Sequence, residues 1–187
     1  KKITSIIFLF CLGMALQAQQ STAGKKPLRF LMGVALELGG DDVASVYFED
    51  GSTQNMHAGQ GGTLFAGGQL RLNEAETFFL RGSIGIKYLT TKADNAHIRL
   101  TRIPLQLSVN YYPLKKFRLA AGVVSHQAIR LNFDGIGVNE KFTSTPGPIL
   151  EVGYGVFGLS YTVMTYQDRN KASYRANAIG LTVSGVL

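Results

Sequence analysis

From Leu28 onward, apolar residues alternate with small or polar ones in one stretch after another. In the first stretch Leu28, Phe30, Met32, Val34, Leu36 and Leu38 share one parity. Arg29, Gly33, Ala35, Glu37 and Gly39 hold the other, with only Leu31 out of step. Successive residues of a strand point to opposite faces, so a period of two predicts strands with one apolar side. The second side is small rather than richly charged, as the inside of a narrow barrel requires. Seven further stretches repeat the pattern over residues 63–72, 78–88, 98–111, 117–130, 150–156, 157–163 and 179–187. Most approach the roughly 9–11 residues that a tilted membrane strand needs.

The connections alternate in length. Residues 40–61, 90–96, 132–145 and 167–173 make the longer ones, while 73–76, 113–116 and the join near 156 are short. Outer-membrane barrels show the same asymmetry, with short turns in the periplasm and longer loops outside. The expected fold is all-β, an eight-stranded antiparallel up-and-down transmembrane β-barrel over residues 28–187. Phe78, Tyr111, Tyr112, Phe117, Tyr154 and Phe157 lie beside the short turns and are expected to form an aromatic girdle at headgroup depth. Ile98 and Leu100 have the opposite parity to Ile103, Leu105, Leu107, Val109 and Tyr111. Pro104 cannot donate to a ladder, so a β-bulge is expected between Thr101 and Pro104.

Ahead of the strands, Lys1 and Lys2 precede an apolar run from Ile6 to Leu16, followed by Gln17 and Ala18. This reads as a cleavable signal peptide over residues 1–18, with 19–27 as a flexible periplasmic lead-in. The run is shorter than the roughly 20 residues of a membrane-spanning helix. Cys11 lies inside it behind the bulky Phe10, so the expectation is removal with the signal rather than lipidation. No thiol chemistry or disulfide is then expected in the mature chain. Losing the two signal lysines lowers the formal charge from +7 to +5. A mildly basic exported protein suits lipopolysaccharide phosphates better than nucleic acid.

The third to fifth stretches carry a more specific likeness. Gly82-Ser83-Ile84-Gly85-Ile86-Lys87-Tyr88 is followed by Ile103-Pro104-Leu105-Gln106-Leu107 running into Asn110-Tyr111-Tyr112, and then by Leu119-Ala120-Ala121-Gly122-Val123. These segments resemble the PorT-like outer-membrane β-barrel family; beyond them only the layout is shared. The resemblance implies an outer-membrane barrel, in a family whose best-known members serve protein secretion and gliding machinery. Leu187 departs from the aromatic residue on which such barrels often finish.

Parity places Glu37, Arg71, Arg81, Lys87, Gln106, Arg118, His126, Arg130 and Glu151 inside the barrel, and Ile129 outside. An eight-stranded interior is just wide enough for its own side chains, so this set is expected to pair as an interior polar network and plug the lumen. A narrow solute or ion channel is the alternative. A lipid A-modifying hydrolase is a less favoured alternative: it would need Ser125-His126 as nucleophile and base, but their side chains point to opposite faces and form no dyad. Ser83 and Ser160 approach from other strands, without a supporting motif. His57 and His97 lack metal-ligand spacing. Asp41-Asp42 and Asp134-Gly135 read as turns. Ala58-Gly59-Gln60-Gly61-Gly62 has no following helix to complete a phosphate site and reads as a mobile hinge. No catalytic, cofactor or metal-binding residue is expected.

Lys92, Arg99, Lys141, Arg169, Lys171 and Arg175 are placed in or beside the outer loops, within reach of lipopolysaccharide phosphates. The first outer loop, with Val46, Tyr47, Phe48 and Met56, is the expected protein-binding surface. The leading function is a non-enzymatic outer-membrane barrel, structural or interaction-mediating, as a component of a secretion or envelope complex. A soluble periplasmic barrel is disfavoured by the apolar outward face.

Overall fold

The computed structural model describes residues 27–47, 53–93, 96–134 and 139–187. The expected signal peptide, and the lead-in up to residue 26, lie outside these. The strands are β1 (Leu28–Leu38), β2 (Asp42–Tyr47), β3 (Thr53–His57), β4 (Gly61–Arg71), β5 (Phe78–Ala93), β6 (Ala96–Leu114) and β7 (Phe117–Asn132). They continue as β8 (Glu140–Thr145), β9 (Gly147–Tyr154), β10 (Phe157–Thr162), β11 (Thr165–Gln167), β12 (Ser173–Arg175) and β13 (Ala178–Val186).

Eight of these close a ring in the order β1-β4-β5-β6-β7-β9-β10-β13 and back to β1. Every pairing in it is antiparallel. The seam between β1 and β13 holds an unbroken register from Leu31↔Val186 to Leu38↔Ile179. Closure leaves no sheet edge with unpaired backbone groups, the condition for a strand structure to cross lipid. Outside, the wall is apolar: Leu36, Leu38 and Ile86 are 68%, 66% and 65% exposed, with Leu64, Leu150, Leu159 and Ile179 beside them in the same band. Water tolerates no such continuous apolar surface, whereas hydrocarbon is its natural solvent. The architecture is that of an outer-membrane β-barrel.

At one end the strands are joined by tight turns, as at Asn73, whose Oδ1 accepts the amides of Thr77 and Phe78, each at 3.0 Å. The other end extends far beyond a membrane. β5, β6 and β7 run for 16, 19 and 16 residues, where about 9–11 suffice to cross. Part of the connection expected over 132–145 is strand β8, which pairs with the upper half of β7. Pro146, lacking an amide hydrogen, separates it from β9. β11 and β12 continue this outer sheet, and the 40–61 connection contains the β2–β3 hairpin.

In this extension the alternation persists but its chemistry inverts. Ile98 and Leu100 are buried on the same side of β6 as Arg102, Ser108 and Asn110, and the β5–β6 register passes unshifted from Ile84↔Leu105 to Lys87↔Arg102 and Tyr88↔Thr101. A bulge is present within the expected Thr101–Pro104 interval, but the parity of β6 is unbroken, contrary to expectation. The irregularity lies in its pairing with β7, where Thr101 faces Arg130 but Ile103 faces Gln127, so the extra residue belongs to β7. Ala128 sits there with φ 50°. This bulge turns Ile129 and Leu131 inward and Arg130 outward, reversing the expectation for Ile129 and Arg130. The physical reason is the change of solvent. Above the bilayer water wets the outside, so the apolar side must turn in. Ile98, Leu100, Ile129, Leu131, Phe142, Met164 and Tyr166 pack there with Met56 and Ala58 from the first loop.

Candidate functional site: the lumen and its cap

The lumen is organised in layers. At the short-turn rim, Glu76 Oε1 accepts Arg29 Nη2 at 3.2 Å and Arg71 Nη1 at 3.0 Å. Just inside, Arg81 donates from Nε to Gln69 Oε1 and from Nη2 to the Tyr112 hydroxyl, both at 2.6 Å. Tyr112 packs edge-on against the inward Phe79 at 5.3 Å. Tyr112 thus lines the lumen rather than joining an external girdle, because it keeps the inward parity of Ser108 and Asn110. The other five aromatic positions lie on the outside. Phe78 stacks on Tyr111 at 4.8 Å, and Phe117 is the register partner of Tyr154, which also pairs with Phe157.

Next comes a buried ion pair, Arg118 Nη2 with Glu151 Oε1. Two glycines make room for it: a Cβ on Gly153 would stand 3.0 Å from Arg118 Nε, and one on Gly158 3.0 Å from Arg118 Nη2. Above the pair is a cavity of about 60 Å³ lined by Gln106, Ser108, Ser160, Thr162 and Thr182. It has room for a few waters.

The outer mouth is closed by chain. Lys87 Nζ donates to the Gly59 carbonyl at 2.6 Å and pairs with Glu37 Oε2 at 3.0 Å. Thr63 Oγ1 donates to the same carboxylate oxygen at 3.0 Å. Arg102 donates from Nη1 to the Ala58 carbonyl and from Nη2 to the Gln60 carbonyl. Its Nη1 also lies 3.4 Å from the Tyr166 hydroxyl, which is bonded to His126 Nδ1. Burial raises the pKa of Tyr166, so that hydroxyl keeps its proton. Residues 58–60 are therefore no mobile hinge: Ala58 N donates to Asp41 O and Gly59 N to Gly39 O, both at 2.9 Å. Gly40, at φ 93°, leaves no space for a side chain, since a Cβ would stand 2.9 Å from Arg175 O.

No family model matches the chain. No curated protein matches it either. Among solved structures, outer membrane protein AlkL, determined by solid-state NMR in DMPC lipid bilayers, is similar over 90% of this chain and 94% of its own. The two share 11% identity, with a TM-score of 0.41. That likeness is one of general layout, and the closed strand pairing itself establishes the barrel.

The structure brings Glu37 to Lys87, Arg118 to Glu151, Arg81 to Tyr112 and Arg71 to Glu76, places Gln106 on the cavity wall, and sends Arg130 out. It adds Arg102, the largest fully buried side chain among the described residues. Its parity with Gln106 and Ser108 is the signal that identifies it, masked by the bulge assumed at that point. Ser125 faces outward, its Oγ accepting from Gln127 Nε2 at 2.7 Å. Ser144 Oγ bonds the backbone of His126 rather than its ring. Ser83 and Ser160 line the same cavity as His126; Ser160 Oγ points to the Gly180 carbonyl at 3.4 Å. His57 Nδ1 lies 2.6 Å from Asp42 Oδ1.

At the outer surface Arg99 pairs with Asp134 at 3.2 Å, and Lys141, Arg169, Lys171 and Arg175 are exposed. The side chains of Val46, Tyr47, Lys92 and His97, and the whole of Phe48, lie outside the described residues. Met56 is withdrawn from the expected docking surface, buried in the core of the extension.

Proposed function

We propose that this chain is a non-enzymatic outer-membrane β-barrel that is structural or interaction-mediating, and not a conduit. The observation that carries this is the combination of an apolar wall with a lumen closed by its own charges and by the carbonyls of residues 58–60. A conducting barrel of this width would need that cap and the Arg118–Glu151 pair both displaced. The signal expected at residues 1–18 would export the chain to the outer membrane. The likeness of Ile103-Pro104-Leu105 and its neighbouring strands to the PorT-like family supports service in a secretion or envelope complex. The external extension, with its own apolar core, is the part that would meet a partner, and its exposed cations would contact lipopolysaccharide.

Planar-bilayer recording tests this reading. Purified wild-type protein is expected to give no discrete conductance steps. Uniform steps that scale with the amount of inserted protein would replace it with the channel.

A further inference from the structure

A single row of outward register partners crosses four strands outside the apolar band, climbing from β5 to β8 with the strand tilt. Tyr88 of β5 faces Thr101 of β6, Thr101 faces Arg130 of β7, and Arg130 faces Lys141 of β8. Directly opposed residues hold their Cβ atoms about 4.5–5.5 Å apart, and like charges so placed repel. Arg130 and Lys141 are both exposed, and among the described residues neither has an ion pair. The neighbouring Arg99 has Asp134, while Glu140 has the opposite parity to Lys141 and faces Leu131. Arg130 reaches this surface only because the bulge at Ala128 turns it out. The fold therefore sets two cations side by side, and the described residues supply no counter-charge.

The height of the row indicates what does. One step toward the membrane on β6 stands Ile103, the first of the outward apolar residues of that strand, with Leu105 and Leu107 beyond it. Tyr88 stands at the membrane end of the row, where tyrosine favours the headgroup boundary, and on β7 and β8 the outward Gln127, Thr143 and Thr145 lie between the two cations and the apolar wall. We propose that Arg130 and Lys141 clamp a phosphate of an outer-leaflet lipopolysaccharide. The guanidinium offers a planar fork to two phosphate oxygens and the ammonium a point charge to a third. The acyl chains of the same molecule would lie on the apolar wall below, which a free phosphate cannot use. This rests on the outer-membrane reading, and it names both the residues and the group they bind.

The test uses protein refolded in detergent micelles and incubated with bisphosphorylated lipid A, with retained lipid counted by native mass spectrometry. Wild type is expected to retain it. The Arg130→Ala, Lys141→Ala double variant is expected to retain it about a hundredfold more weakly, roughly tenfold for each of the two lost charge-assisted contacts. Arg130→Gln with Lys141→Gln serves as the second variant, and heat-modifiable gel migration checks that each has folded. Lys171→Ala, in the turn between β11 and β12 and to the side of the pair, should bind as wild type, and dephosphorylated lipid A should bind wild type no better than the double variant. Equal retention by wild type and folded double variant overturns the clamp. Displacement of lipid A by an equal concentration of inorganic phosphate overturns the lipid assignment. Failure of the outer-membrane reading is distinguished by extraction of wild-type protein from cells into buffer without detergent.

Discussion

Arg118 and Glu151 lie in a trough that exists because two strand positions, Gly153 and Gly158, have no side chain. Removing one member leaves the other buried without its partner, so Glu151→Ala is expected to destabilise the barrel by about 3–5 kcal/mol. Replacing both with methionine should cost less than either single truncation, since no charge is then stranded. Urea unfolding of micelle-refolded protein reads the difference. Arg102 poses a second test. Arg102→Ala leaves the Ala58 and Gln60 carbonyls without their donor, a penalty of about 1–3 kcal/mol for each that stays buried. Hydrogen exchange should accelerate at the Ala58 and Gly59 amides, and unchanged protection there would mean the cap is held by its backbone bonds alone. The pairing of Glu37 with Lys87 was an arrangement that strand parity made accessible. Arg102 was obscured because its neighbours Ile98 and Leu100 look like lipid-facing residues, although they line a water-excluded core outside the membrane.

Within a single element, β7 carries both regimes. Val123 is 53% exposed on the lipid-facing wall, whereas Ile129 is 1% exposed inside the extension. Truncating the two should therefore have unlike effects. Ile129→Ala opens a cavity among Leu100, Leu131 and Phe142, with an expected cost of about 2–5 kcal/mol. Val123→Ala only exchanges one lipid-facing side chain for a smaller one and should change stability far less. Limited proteolysis offers a direct readout, with Ile129→Ala expected to expose residues 139–145 to cleavage while the membrane portion stays intact. Equal protease sensitivity of the two variants would contradict the inverted packing. The eight crossing strands were legible because each sees hydrocarbon on one face and the lumen on the other, a contrast written into neighbouring residues. The strands β8, β11 and β12 were not. They are short, mostly polar outward, and stabilised by the core they share rather than by any pattern of their own.

At the scale of the whole molecule, the barrel depends on the seam between β1 and β13. A chain shortened by residues 178–187 would leave β1 and β10 with open edges, which lipid cannot satisfy. It is expected to lose heat-modifiable gel migration altogether, and retention of that shift would show that closure is dispensable. The amino-acid sequence by itself determined the number of membrane-crossing strands, the lipid-facing parity and the rim where turns are short, because each follows from a period of two read against a single solvent boundary. Tertiary structure alone decided which parity faces inward above the bilayer, how residues 58–60 come to cap the mouth, and why Arg130 stands outside beside Lys141. Those outcomes depend on what distant strands place opposite each residue, and on a one-residue bulge whose effect appears only when β7 is paired with β6 and β8.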